Sequence, residues 1–296
     1  MSRSAGSASR AVACYRATVA ELERIYEESP EAATRVGSLR IAASDAEKGD
    51  CEAQYSAMVA NGLPVERYEG PEGSGLCFAN DGKLQPFARC TALAERAIAG
   101  GARLFENSPM RSFAPGRLLA GAGSVACRSV LVCVDGSLER VVPALAGAVR
   151  SSRLQMLATA PLSERIASRP VYQRYGLDYW QQLASGEIVL GGCRDTGEDD
   201  EWTTEAAVSE AVQRGLDQLL HSGLGIHAPV THRWAGIVGY TPSGLPVVRE
   251  VAPEMFVAGG YSGTGNVVGA LAAKGLVGLA LDGRSELAAL FDGADS

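Results

Sequence analysis

No apolar run in the 296-residue chain reaches the roughly eighteen residues that a membrane-crossing helix requires, so no membrane partner is expected. The seven cysteines, Cys14, Cys51, Cys77, Cys90, Cys127, Cys133 and Cys193, are odd in number, scattered and never in a C-x-x-C spacing. That argues against a disulfide framework and against a zinc site, and predicts reduced thiols. Histidine is scarce, and His221, His227 and His232 make no metal-ligand pattern. Basic residues form no stripe. With 27 Lys and Arg against 34 Asp and Glu, the net charge of -7 argues against nucleic acid as a partner and for a small ligand. The opening MSRSAGSASR is polar and basic, with no apolar signal core behind it, which predicts a cytoplasmic protein. Ser/His/Asp and Cys/His catalytic patterns are also missing, as is the dinucleotide fingerprint G-x-G-x-x-G.

What remains is a globular composition, 46% hydrophobic and 21% charged, long enough for one large domain or two ordinary ones. Apolar residues three or four apart (Val12, Tyr15, Val19, Leu22, Ile25) predict an amphipathic helix after the small-residue start. VGSLRIAAS reads as a strand, Asp45 to Asn61 as a helix stopped by Asn61-Gly62, and Asn80-Asp81-Gly82 as a turn before a helix opened near Pro86. ARLFENSPMRSF is expected as a strand and SVLVCVDG as a strand buried on both faces, with Cys133 a small core residue. From Arg153 the pattern turns to β structure, with RPVYQRYGLDYWQQL and EIVLGGCR joined as a hairpin through Ala184-Ser185-Gly186. TTEAAVSEAVQRGLDQLL reads as a helix capped at Thr203 or Thr204. Two strands then flank Pro242-Ser243-Gly244, MFVAGG forms a strand, and Val267 to Asp282 forms the last helix. No long linker separates these parts, so two domains must be interleaved.

The loop YSGTGNVVG joins that last strand and helix. A helix start presents unpaired N–H groups and about half a unit of positive charge, and glycines let a ligand approach them. The spacing is G-x-G-x-x-x-G, and no strand follows the helix, so a phosphate-binding turn and a nicotinamide dehydrogenase are disfavoured. A turn that only packs helix on sheet and a ligand loop both remain open on these residues.

GLPVV, then a strand ending in Gly-Gly-Tyr-Ser-Gly and a helix, resembles the C-terminal pattern of the flavin-dependent amine and amino-acid oxidoreductases related to D-amino-acid oxidase, glycine oxidase and sarcosine oxidase. Gly37-Ser38-Leu39, Asp81-Gly82 with Pro86, VLVCVDG, QMLATAP, LDYWQQLASGEIVLGGCRD and HRWAGIVGYTPSGLPVV match in the same order, so the resemblance covers nearly the whole chain. It implies an α/β fold: a Rossmann-like FAD-binding domain (1–16, 83–153 and 253–296) interleaved with an antiparallel-sheet substrate domain (17–82 and 154–252). The first βαβ unit of the family is not in this sequence, so the chain alone is expected to bind FAD weakly. Ser2 to Gly6 resembles the segment that runs beside the flavin ring.

By the same resemblance Arg3, Ser4, Ala5, Gly6, Met110, Gly236, Gly260, Tyr261, Ser262, Gly263, Thr264, Gly265 and Asn266 are the expected non-covalent FAD contacts. The loop amides would face the ring edge that turns negative on reduction. Tyr179, Trp180, Trp234 and Tyr240 are the expected substrate-side residues; of Tyr179 and Trp180, neighbours in a strand, one alone can face the ring. Sheet packing is the competing reading for each of the four. Val238 stands where glycine-oxidase-like members carry a carboxylate-clamping Arg, which favours an amine or polyamine-derived substrate over a simple amino acid. Arg174, Arg194 and Arg233 are the remaining candidates for a carboxylate. The oxygen-activating Lys of sarcosine-oxidase-like members falls on Val189 or a neighbour, which leaves no cation there and implies that oxygen is a poor acceptor; the electron acceptor is oxygen or another molecule. His232 is either a pocket base or a structural histidine. The rival to an FAD-dependent oxidoreductase acting on a C–N bond is a non-catalytic or accessory subunit that completes a flavin site in trans.

Overall fold

A computed structural model describes residues 2–121 and 123–293, with side chains from residue 8 onward. The helices in chain order are α1 (Ser2–Glu28), α2 (Asp45–Ala60), α3 (Pro86–Ala99), α4 (Leu138–Val141), α5 (Glu210–Gln218), α6 (Val268–Asp282) and α7 (Glu286–Ala289). The first eight strands are β1 (Ala33–Arg35), β2 (Ser38–Ile41), β3 (Glu66–Gly70), β4 (Gly73–Phe78), β5 (Gly82–Leu84), β6 (Met110–Ala114), β7 (Arg117–Ala120) and β8 (Gly123–Ala126). The others are β9 (Val130–Val132), β10 (Arg150–Thr159), β11 (Val171–Gln173), β12 (Asp178–Gln182), β13 (Ile188–Gly191), β14 (Val230–Tyr240), β15 (Val247–Ala252) and β16 (Met255–Gly259).

Two compact units share these elements: Met1–Arg24, Pro86–Ser152 and Val238–Ser296 form the first, Ile25–Gln85 and Arg153–Ile237 the second. The first unit is built on the sheet β15-β16-β9, in which β16 runs antiparallel to β15 and parallel to β9. One face is covered by α6, whose Leu271, Ala272 and Leu276 pack with Val248, Phe256 and Ala258; Ala288 and Phe291 join the same core. On the other face Val132, Val247 and Val257 pack with Leu138, Leu145 and Val149. A meander β6-β7-β8 completes the unit. Because β15 pairs with β16, residues 247–252 belong here and not with the substrate part to which the sequence pattern assigned them.

The second unit holds an eight-stranded sheet in the order β14-β10-β13-β12-β11-β2-β4-β3, and each of its register-defined pairs is antiparallel except β11 with β2. Its α5 face is a core of Leu39, Leu157, Val171, Trp180, Ile188 and Leu190 against Val212, Leu216 and Leu220 of the α5 segment. Alternation along strands sends their neighbours to the opposite face.

Three expectations shift. The strand expected over ARLFENSPMRSF begins only at Met110, because Asn107 adopts φ 53° and Pro109 lacks a ladder donor. The apolar run after Ser129 yields a three-residue strand at a sheet edge, not a fully buried one: Leu131 is 38% and Val134 37% exposed, and Cys133 is exposed too. Helix α5 starts at Glu210 with Ser209 as its cap, because Gln155 Oε1 takes the Ser209 N–H at 2.9 Å and Glu201 Oε1 takes its hydroxyl at 2.9 Å.

Helix α2 starts by a mechanism that its sequence spells out. Ser44 Oγ accepts the Glu47 N–H at 3.2 Å, and the Glu47 carboxylate reaches back to the Ala43 N–H at 2.8 Å and across to that of Tyr175 at 2.6 Å. Glu47 is 1% exposed, so Glu47→Ala strands two backbone donors. A loss of about 2 kcal/mol in urea unfolding is the expected result, and an unchanged midpoint would refute this account.

Candidate functional site

Residues 260–267 of the first unit turn the chain from β16 into α6. Gly260 (φ 72°) and Gly263 (φ 88°) take the left-handed backbone that the reversal needs. The loop is fixed from below by Asp135, in the segment after β9. Its Oδ1 accepts the Tyr261 N–H at 2.8 Å and its Oδ2 the Gly239 N–H at 3.1 Å, and the Gly260 N–H points to the same carboxylate. Burial pushes the Asp135 pKa up, and these three amides draw it part of the way back. The approach is close enough to require glycine at two more positions: a Cβ on Gly259 would stand 2.3 Å from the Val134 carbonyl oxygen, and one on Gly239 2.6 Å from that of Asp135.

The end of β14 holds the loop from the side. Gly239 O accepts the Ser262 N–H at 2.8 Å, Ser262 Oγ accepts that of Thr241 at 3.3 Å, and the Tyr240 hydroxyl lies 4.0 Å from where a Gly263 Cβ would be. Within the loop the Thr264 N–H is spent on Tyr261 O at 2.9 Å, whereas those of Gly263, Gly265 and Asn266 find no hydrogen-bond partner among the described residues. Gly263, Thr264 and Asn266 are exposed. Three donors at the start of a fifteen-residue helix therefore make a fixed electropositive patch.

The glycine spacing has a second physical origin. Cβ atoms on Gly265 and Gly269 would meet the Tyr261 ring at 3.2 and 3.4 Å, so the pair forms a flat track on which that ring lies. Burial raises the Tyr261 hydroxyl pKa, with Cys133 and Asp135 adding to it, so the phenol stays neutral. Arg89 of α3 donates to Asn266 O at 3.3 Å from a side of the loop that the sequence pattern did not flag. Met110 is half-buried against the Val132 and Leu138 core. Arg3, Ser4, Ala5 and Gly6, expected beside the ring, lie in the first turns of α1; their side chains fall outside the described residues.

In the second unit, registers place Met156, Gly191, Tyr179, Tyr172 and Arg40 in one row across five strands, on the face away from α5. Val189, beside Ala158 and Gln181 in register, shares that face and brings no cation to it. Tyr179 lies over Gly191, where a Cβ would come within 2.4 Å of its ring. Trp180 points the other way and is 7% exposed in the α5 core, so of the two neighbours Trp180 is the packing residue. Trp234 is 39% exposed on β14, and Gly236 has open space around it. The carboxylate candidates are engaged elsewhere: Arg174 with Asp178 (3.3 Å) and Asp195, Arg233 with Gln213 and Asp217 (both 2.7 Å), and Arg194 over the Trp202 ring. His232 is exposed and contacts Thr231 Oγ1 at 3.0 Å. Asp135 is the residue that motif reading missed; its signal is an acid directly following an apolar run and preceding Gly136.

A three-stranded sheet with a parallel pair, a glycine turn after β16 and an electropositive helix start fit the α/β class whose members bind nucleotide cofactors. The model of the family described as FAD dependent oxidoreductase matches residues 2–279, and the chain belongs to that family. Among curated relatives, it is 25% identical over 222 residues to the probable oxidoreductase OrdL of Rhizobium meliloti (strain 1021), covering 72% of this chain and 50% of that protein. It is 24% identical over 265 residues to the gamma-glutamylputrescine oxidoreductase of Escherichia coli (strain K12), covering 82% of this chain and 61% of that protein. The chain thus spans about half to three-fifths of the length of the curated relatives it matches.

Solved structures share the fold. L-proline dehydrogenase from P. horikoshii superposes with a TM-score of 0.78 at 18% identity over 92% of this chain and 80% of that one. Glycine oxidase from Geobacillus kaustophilus gives 0.75 at 19% over 93% and 79%. FAD is the family's cofactor, and the residues present fit one part of it. The unpaired amides of Gly263, Gly265 and Asn266, beside glycines that leave the approach clear, suit the polar edge of the flavin ring; no G-x-G-x-x-G is present to take the pyrophosphate. Among the described residues no helix is long and apolar enough to cross a membrane, and no cluster of His, Cys, Asp or Glu could hold a metal ion.

Proposed function

We propose that the chain serves an FAD-dependent oxidation of a C–N bond in an amine or amino acid. The observation that carries this reading is the set of three unpaired amides at the start of α6, in a loop pinned by Asp135. FAD, when bound, supplies a ring that accepts a hydride at N5. The amides of Gly263, Gly265 and Asn266 would hold the polar edge of that ring and would stabilise the negative charge it gains. Asp135 is a positioning residue: by accepting the Tyr261 and Gly239 N–H groups it would hold the loop that carries those amides. The Tyr240 hydroxyl, next to Gly263, is placed to bind a ligand at the loop. Tyr179, Trp234 and Met156 are the proposed substrate-side residues.

With Val238 in place of an arginine, and Arg174 and Arg233 paired elsewhere, an amine or polyamine-derived substrate is preferred to an α-amino acid that needs a carboxylate clamp. The name of the E. coli relative, gamma-glutamylputrescine oxidoreductase, supports that preference. Oxygen or another molecule takes the electrons.

Amide hydrogen exchange with FAD added at increasing concentration tests the reading. Saturable protection of residues 263–266 is expected, abolished by Gly263→Val, whose branched side chain resists φ 88°. Unprotected amides at saturating FAD would refute it. Protection without turnover of any amine or amino acid, with either oxygen or a dye acceptor, would favour a non-catalytic role in a larger flavin assembly.

A further inference from the structure

The row Met156, Gly191, Tyr179, Tyr172 and Arg40 runs on through Leu76 of β4 and Arg67 of β3, which follow in register on the same face of the second unit. Helix α2 covers that far end. Glu52 of α2 takes the Arg67 guanidinium as a fork, with Nε to Oε1 at 2.9 Å and Nη2 to Oε2 at 2.8 Å, and the Tyr55 ring centroid lies 3.8 Å from its central carbon. Leu76 between them is fully buried. Arg40 is half-buried and stands between this covered end and the two tyrosines.

The two arginines are satisfied in different ways. Arg67 has a carboxylate, whereas Arg40 donates through Nη1 to Gln54 Oε1, a neutral amide; this is its one hydrogen bond among the described residues, and it makes no ion pair with them. Glu47 and Asp50 of the same helix are turned to Tyr175: Glu47 accepts the Tyr175 N–H at 2.6 Å and Asp50 its hydroxyl. Gln54 thus orients the guanidinium and leaves its charge intact. A guanidinium carries its N–H donors in one plane, and all but one of those on Arg40 remain for a ligand. A half-buried cation with no counter-charge is costly, and a carboxylate that takes two parallel N–H bonds is the group that fits its fork.

We infer that Arg40 is a specificity residue that binds a carboxylate of the substrate, remote from the bond that reacts. The distance follows from the sheet. Tyr179 and Arg40 are two strands apart with Tyr172 between them, so at the usual strand spacing their backbones are roughly 10 Å apart. An amine end over Tyr179 and Gly191 and a carboxylate at Arg40 define an unbranched ω-amino acid or an acidic derivative of a diamine. Compact α-amino acids, whose two groups share one carbon, cannot reach both places. The position of the amine end rests on the amine-oxidation reading; the carboxylate contact at Arg40 does not.

Titration of the chain with ω-aminooctanoate, octylamine and β-alanine, followed by calorimetry and by the Arg40 Nε–H resonance, tests this. ω-Aminooctanoate has the required separation, octylamine has the length without the carboxylate, and β-alanine has the carboxylate without the length. ω-Aminooctanoate is expected to bind about tenfold or more tightly than either and to shift the Arg40 resonance, a contrast set by hydrogen bonds to a charged group. Arg40→Gln should remove the contrast, and Arg40→Lys should keep part of it. Gln54→Glu serves if those variants fold poorly: it keeps the tie between β2 and α2 and should remove the contrast, because the fork is then filled from within. No saturable binding of ω-aminooctanoate, equal affinity for octylamine, or a contrast that survives in Arg40→Gln or Gln54→Glu would overturn the proposal. The expected contrast without oxidation of any amine, when FAD and an acceptor are present, would leave the Arg40 site standing and sink the amine-oxidation reading instead.

Discussion

Asp135→Ala will detach the 260–267 loop from the sheet. One carboxylate accepts the amides of Tyr261 and Gly239, with the Gly260 N–H pointing to it, and alanine leaves these donors without that acceptor in a part-buried setting. Donors left unpaired in this way cost about 1–3 kcal/mol each when water cannot reach them, and the loop relieves part of that by opening. The expected net loss is about 3 kcal/mol in urea unfolding of the first unit, with faster exchange at Gly239, Gly260 and Tyr261. FAD protection of residues 263–266 should vanish with it, because the loop that carries the free amides is no longer held. Asp135→Asn keeps one acceptor and should recover part of both effects. Wild-type exchange at those three amides in the alanine variant would show that the carboxylate does not hold the loop.

Glu201→Ala should destabilise the second unit even more. Arg153 Nη2 reaches Glu201 Oε1 at 2.7 Å and its Nε reaches Oε2 at 2.9 Å; Gln155 Nε2 adds a bond at 3.0 Å, and the two charged side chains are 8% and 1% exposed. Removing one member of a buried pair leaves the other charge desolvated and unmatched, at a cost of about 3–5 kcal/mol. The Ser209 cap of α5 loses its acceptor at the same time. Burial by itself would raise the Glu201 pKa, but the bonds from Arg153, Gln155 and Ser209 and the Arg153 charge outweigh it, so the carboxyl titrates below its usual value. The stabilisation is therefore complete above the ordinary glutamate pKa of about 4.3 and is lost as pH falls through the depressed folded-state value. Acid titration of the wild type should show that loss and Glu201→Ala should not. Equal acid sensitivity of the two proteins would mean that Glu201 is not the linked group.

Local chemistry made much of this legible in the residues. Asn61-Gly62 stops α2, Pro86 opens α3, and the apolar run to Gly259 followed by small residues marks β16, its turn and α6. What stayed hidden depends on partners far away in the chain. The run VLVCV reads as a core strand because apolarity reports contact with something apolar, not where that something comes from; here one side of it is an open edge. Strand alternation separates Tyr179 from Trp180, but only α5, placed by the fold, shows that Trp180 faces the core. Arg153 and Glu201 are 48 positions apart, and Asp135 is 126 from Tyr261, so neither pairing leaves a local trace. The glycines at 265 and 269 were visible as a pattern, yet their use as a track for the Tyr261 ring needed the ring's position.

The alternation of the two units along the chain bears on synthesis. β9 emerges from the ribosome more than a hundred residues before β16, the strand it pairs with, so through that interval Val130, Leu131 and Val132 have no ladder to join. The second unit, complete once Ile237 has been made, can consolidate while the sheet of the first is still waiting for its middle strand. Long-range pairing of this kind is slow, and the nascent polypeptide will depend on chaperones most heavily just before its last sixty residues or so appear.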